Sequence, residues 1–250
     1  MIDEVKRLDL LLEEVEAERV FSHAKDLWIN DHKPFDFLKH PLVSAIMALE
    51  TFMEVSRMLY PHLEVLGVRN ARFLDIIACP PDAGRPAVIQ CKRIDFEGPE
   101  IVCEASLETR EISPTGRLMD RLNTNYRAHV LLGGRTQSLD AMLQDFPVLP
   151  EKLETRPIDI EEVNRKYSER TQMRGRYRVI EALDGTNPGL IGGYIIYRQS
   201  QDFSHFAQTG YQYSPYLLEA LIQLANFYML MRDSRENRHL IPYSIGEMRF

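Results

Sequence analysis

The chain has 250 residues, and its 37 acidic against 30 basic side chains give a formal charge of −7 and a pI near 5.6. Without a Lys/Arg block to offset that balance, DNA and RNA are excluded as general partners. No apolar run is long enough to cross a bilayer, and the opening MIDEVKRLD has neither a basic n-region nor an apolar h-region, so a cytosolic protein without a membrane partner is expected. Cys79, Cys91 and Cys103 are odd in number, lack CxxC spacing and fall in apolar, strand-like runs, which reads as buried free thiols in the same compartment.

In chain order, the segment to about Glu18 mixes Leu and Glu at helical spacing, and RVFSHAKD follows as a strand leaving for a loop. LWINDHKPFDFLKHP, Leu27 to Pro41, is a turn-rich loop containing His32 and His40. Ser44 to Tyr60 predicts the first long helix, with Glu50 and Glu54 one turn apart among Ile46, Met47, Leu49, Phe52, Met53 and Val55. Short β-rich runs follow at Ala71–Cys79, Ala87–Ile94, Ile101–Glu108 and Asn125–Leu132, separated by Gly/Pro turns, and predict an antiparallel meander. Gly133 to Pro157 reads as a linker. Beyond it Tyr177–Leu183 and Leu190–Arg198 predict two strands, a loop with His205 leads to a second long helix, and His239–Phe250 has room for one strand more.

That second helix, Ser214 to Asp233, is apolar on nearly all sides, the pattern of a helix enclosed by a sheet. Pro215 suits its first turn. Glu219, Gln223 and Asn226 nonetheless share one face, and a carboxylate there is either at a solvent-facing edge or paired, hydrated or held neutral. SAIMALETFMEV and SPYLLEALIQLA follow the same order of Ser, apolar turn, Glu and then Glu or Gln, which suggests duplication. The glycines at 185, 189, 192 and 193 lack the strand-then-helix setting of a phosphate loop. The spacing of His23, His32 and His40 predicts no metal site.

Several of these stretches resemble the dehydratase domain of type I polyketide synthases and polyunsaturated fatty acid synthases. DLWINDHKPFDFLKHPLVSAIMALETFMEV is similar to that family's catalytic-histidine loop and first long helix, and ASLETREISPTGRLMDRLNTNYRAHVLLGGR to the strand, hairpin and returning strand of the same half. PYLLEALIQ resembles its Leu-Leu-acid-Ala-x-x-Gln helix, with Glu in place of the usual Asp. Counted from His32, the family's His-x-x-x-Gly-x-x-x-x-Pro pattern meets Asp36 at the Gly, reaches Pro41 and continues with Leu42. The Gly-Tyr-x-Tyr-Gly-Pro-x-Phe motif has two partial counterparts, GYQYSPY at Gly210 and MRGRYRVIEAL at Met173.

The resemblance implies an α+β double hot-dog: two antiparallel sheets, each wrapped around a central helix, with hot-dogs at 1–145 and 146–250, the second either incomplete or shortened. It also implies dehydration of a 3-hydroxyacyl-[acyl-carrier-protein] thioester without a cofactor, with His32 as base, Glu219 as acid and Gln223 orienting the acid. His40 is the fallback histidine, and a loop role for His32 stays open. His205 and Glu50 would form a vestigial second site, unless Glu50 is a surface partner of Arg57. Arg117, Arg121 and Arg127 would either meet an acidic acyl carrier protein bearing a phosphopantetheine-linked substrate or form a solvated hairpin. Other synthase domains and a second copy of the chain complete the implied partners. A pseudo-dehydratase scaffold, or another hot-dog enzyme such as a thioesterase or isomerase, is the competing reading.

Overall fold

A computed structural model describes residues 2–112, 118–134, 156–185, 191–195, 211–232 and 243–250. The chain opens with a hairpin, β1 (Glu4–Asp9) and β2 (Glu14–Phe21), where helical spacing had predicted a helix. The leucines that suggested it, Leu10 to Leu12, form the turn. Asp9 accepts the N–H groups of Leu11 (3.0 Å) and Leu12 (2.9 Å), and Glu13 takes a positive φ of 55°. From Val15 onward burial alternates residue by residue, which is strand periodicity.

A short 3-10 turn (Leu27–Asp31) and a loop lead to α1 (Ala45–Leu59), where the apolar pattern predicted it. Four long strands follow: β3 (Glu64–Phe73), β4 (Arg85–Glu97), β5 (Glu100–Ile112) and β6 (Leu118–Gly133). The first begins seven residues before the predicted Ala71, because polar residues interrupt its alternation. With the hairpin and a terminal strand β10 (Ser244–Arg249) they form an antiparallel seven-stranded sheet of order β1-β2-β4-β5-β6-β3-β10. Its inner face packs on α1. Phe52, Met53, Val55, Ile89 and Leu107 are fully buried there. All three cysteines are buried and free, as expected.

The second half contains β7 (Arg156–Ile158), α2 (Ile160–Arg170), β8 (Ile180–Gly185), β9 (Ile191–Ile195) and α3 (Pro215–Arg232). Helix α2 had no counterpart among the predicted elements. Asp159 caps it, accepting from the N–H groups of Glu161 (3.0 Å) and Glu162 (3.2 Å). β7, β8 and β9 form a second antiparallel sheet, against which α3 packs with α2. The architecture is the double hot-dog α+β fold.

Among the described elements β3 is the next after α1 and β10 the next after α3, and these two strands pair antiparallel, Val68 opposite Met248. The last strand of the chain thereby closes onto the edge of the first half's sheet. Gly67 is needed there, because a Cβ would collide with the Met248 carbonyl. The expectation that α3 is enclosed on all sides is corrected: Leu217, Leu221 and Met229 stand on an exposed face, while Glu219 and Gln223 are buried. Among the described residues no helix is long and apolar enough to cross a membrane.

Candidate active site

His32 follows the 3-10 turn and is only partly buried by surface exposure. Its Nδ1 lies 2.9 Å from the Leu42 carbonyl, and the Leu42 N–H donates back to the His32 carbonyl at 3.0 Å. The loop thus begins and ends on itself. Its far end is fixed in turn, because Val43 N–H donates to the Ile77 carbonyl (2.9 Å) and the Tyr126 hydroxyl donates to the Val43 carbonyl (3.0 Å). A neutral imidazole facing a carbonyl through Nδ1 carries its proton there, which leaves Nε2 as the basic nitrogen. Desolvation pushes this histidine down to about 4, against the opposing pull of the Leu42 carbonyl. It is neutral at pH 7.

Glu219 comes from the other half and exposes 3% of its surface. Burial pushes its carboxyl up to about 8, opposed by the hydrogen bond from Gln223. At pH 7 it is an acid with its proton on. Gln223, one helical turn along α3, donates from Nε2 to Glu219 Oε1 (2.9 Å) and to the Tyr177 carbonyl, while its Oε1 accepts the Val179 N–H (3.4 Å). Its carboxamide is fixed at both ends. A neutral carboxyl that accepts through Oε1 presents its proton on Oε2.

Tyr177 lies between the two. Its ring centroid is 4.7 Å from that of His32 at a tilt of 42°, and burial, with the Glu219 carboxyl next in weight, drives its phenol well above the ordinary tyrosine range. The Ser44 side chain faces the same hydroxyl. Ser44 is the extended residue before α1, and no acidic side chain occupies the first turn of that helix. The N–H groups there have no partner within the helix and form the positive end of its dipole. Tyr177 therefore links His32 of the first half, through its ring, to Gln223 and Glu219 of the second, through its carbonyl, with Ser44 at its hydroxyl.

Tyr177 was not singled out by the sequence, although it stands in the stretch at Met173 that partially matches a family motif. Of the two partial matches, that is the one reaching His32. The other supplies Tyr213, whose ring stacks on Phe250 at 3.6 Å and whose hydroxyl donates to the Val65 carbonyl (2.7 Å). His40 sits in the same loop as His32, partly buried.

Glu50 is buried and not a surface partner of Arg57. It accepts the N–H groups of Gln212 and of Tyr213 (3.4 Å), and Arg57 donates instead to Gln212 Oε1 (2.9 Å). Burial pushes its carboxyl up to about 7, with the two amides opposing. Both of its oxygens are spent on the entry to α3. His205 and Arg117 lie outside the described residues. Arg121 is 3.3 Å from Glu111 on an exposed hairpin, and Arg127 is exposed on β6 opposite Ser106. Among the described residues no group of His, Cys, Asp and Glu converges to hold a metal ion.

No protein-family model matches the chain. No curated protein matches it either. Solved structures do. The dehydratase domain from the CurF module of curacin polyketide synthase is 14% identical, with a TM-score of 0.69 over 98% of this chain and 81% of that one. The domain from the CurJ module of the same synthase is 13% identical, with a TM-score of 0.70 over 99% and 77%. A variant of the PpsC dehydratase domain from Mycobacterium tuberculosis is 13% identical, with a TM-score of 0.62 over 90% and 72%. The chain has the fold of polyketide synthase dehydratase domains.

Proposed function

We propose that the protein removes water from a 3-hydroxyacyl thioester to give a 2-enoyl thioester. His32 Nε2 takes the C2 proton, the C2–C3 double bond forms, and the C3 hydroxyl leaves as water with the proton of Glu219. Transfer of a proton from imidazolium back to carboxylate, through solvent, resets the site. The first-turn amides of α1 stabilise negative charge developing on the thioester carbonyl. What supports this reading is the run of contacts from the His32 ring to Tyr177 and from the Tyr177 carbonyl through Gln223 to Glu219, with burial pushing the imidazole down and the carboxyl up.

The thioester is best supplied on the phosphopantetheine arm of an acyl carrier protein within a synthase, since the structurally similar proteins are polyketide synthase domains. A second copy of the chain and neighbouring synthase domains are the further partners proposed. Arg121 and Arg127 are proposed contacts for the acidic carrier. The proposed vestigial role for Glu50 survives only as a relic of the repeat, because its carboxyl now holds backbone.

The test compares wild type, His32→Ala and Glu219→Gln on a soluble 3-hydroxyacyl thioester. Each substitution should lower kcat by about 10²- to 10⁴-fold. Wild-type kcat/KM should be level between about pH 4 and about pH 8, falling on the acid side as His32 protonates and on the alkaline side as Glu219 ionises. Equal residual rates in all three proteins would overturn the reaction and leave the scaffold reading.

A further inference from the structure

The histidine loop matches its family pattern loosely, yet it is tied to the other half at the residues on either side of His32. The Asp31 carbonyl accepts the Arg174 N–H at 3.2 Å, and the Lys33 carbonyl accepts the Gln172 N–H at 2.9 Å. The Asp31 carboxylate takes the Arg176 guanidinium at 2.7 Å and the Arg176 N–H at 3.3 Å. Gly175, between the two arginines, has a φ of +55°, and a Cβ there would come within 2.7 to 2.9 Å of the Asp31 carboxyl. Its lack of a side chain is needed twice, once for the backbone angle and once for this close approach. Arg176 is followed by Tyr177, which contacts His32 through its ring and Gln223 through its carbonyl.

We infer that Asp31, Gly175 and Arg176 form a clamp across the two halves that sets the position of His32 against Tyr177 and Glu219. These three are positioning residues for the dehydration proposed above, on which the inference rests. Side-chain exposure of 15% for Asp31 and 29% for Arg176 leaves the ion pair partly in water, so its contribution to stability is modest. Its geometric effect is larger. Displacement of a catalytic group by about 1 Å costs on the order of 10²-fold in rate.

The experiment uses the full chain as wild type, Arg176→Met, Arg176→Lys and Gly175→Ala. It reads kcat and KM on a 3-hydroxyacyl thioester, the midpoint of thermal unfolding, and the His32 ring signals by NMR in the protein alone. Arg176→Met and Gly175→Ala should lower kcat by roughly 10- to 100-fold with KM within about twofold. They should also shift the His32 ring signals, with the unfolding midpoint near wild type in Arg176→Met and lowered by a few degrees in Gly175→Ala, whose Cβ strains the backbone, and Arg176→Lys should recover part of the lost kcat and of the signal shift. Unchanged kcat and unchanged His32 signals in Arg176→Met and Gly175→Ala would overturn the clamp. So would a loss of kcat that only tracks a fall in the unfolding midpoint, with no recovery in Arg176→Lys. A wild type that dehydrates nothing would overturn the reaction, while shifted His32 signals in the variants would still uphold the clamp.

Discussion

In α1 the apolar residues Met47, Phe52, Met53 and Val55 are closed off by the sheet, and Glu50 is buried with them. In α3, Glu219 and Gln223 are buried at 3% and 1%, while Leu217 and Leu221 on the same helix are 48% and 53% exposed. An ordinary surface helix turns its polar stripe to water and its apolar stripe inward. α3 does the reverse on these two faces. Glu50 is thus an acid caught inside a closed core and satisfied by two amides, whereas Glu219 is kept inside while leucines nearby remain in water. The burial that raises the Glu219 carboxyl is thus confined to one face of its helix.

Truncation at the closed helix should have the largest effect. Phe52→Ala removes a fully buried ring beneath the sheet and should cost about 3–5 kcal/mol in chemical denaturation. A loss below about 1 kcal/mol would mean that α1 is less tightly enclosed than described.

Next comes the acid on α3. A carboxyl whose folded pKa lies above its unfolded one binds its proton more tightly when folded, so the wild type is relatively most stable below about pH 4.5. It should lose stability as pH rises towards about 8. Glu219→Gln abolishes that titration. The variant should gain on wild type by on the order of 4 kcal/mol between pH 4 and pH 9, measured by urea unfolding at each pH. Parallel stability profiles would show that Glu219 is not held neutral by burial.

Glu50→Ala should cost about 2 kcal/mol at pH 6, because the N–H groups of Gln212 and Tyr213 lose their acceptor. Hydrogen exchange at those two amides should rise with it. Glu50→Gln, which keeps one accepting oxygen, should cost less, and equal losses in the two variants would argue against the amide contacts as the cause.

The elements legible in sequence were those whose burial repeats with their own period. α1, α3 and the meander strands β4 to β6 declare themselves in this way, and the shared residue order of the two helices sets Glu50 beside Glu219 in sequence alone. The β1–β2 turn was misread because Leu10, Leu11 and Leu12, all exposed, imitate helical spacing. α2 announces itself chiefly through its Asp159 cap, since its surface is largely charged. The clamp was not legible at all. Asp31 and Arg176 are 145 residues apart, and neither lies in a pattern that predicts the other. Which face of α3 would be open was also hidden, because a helix apolar on nearly every side offers no gradient from which to read direction.

That open face gives the smallest effect and the sharpest contrast with α1. Leu221 and Met229 line a groove of about 410 Å³ with Leu218, Ile222, Ile46 and Met248. Both side chains are substantially exposed, so replacing either with Lys forfeits little burial. Leu221→Lys and Met229→Lys should each change stability by no more than about 0.5 kcal/mol. Fluorescence of a dye that binds exposed apolar surface should nevertheless fall in both. A loss of stability comparable to that of Phe52→Ala would instead show that the face is covered in solution, and the two helices would then differ only in their acids.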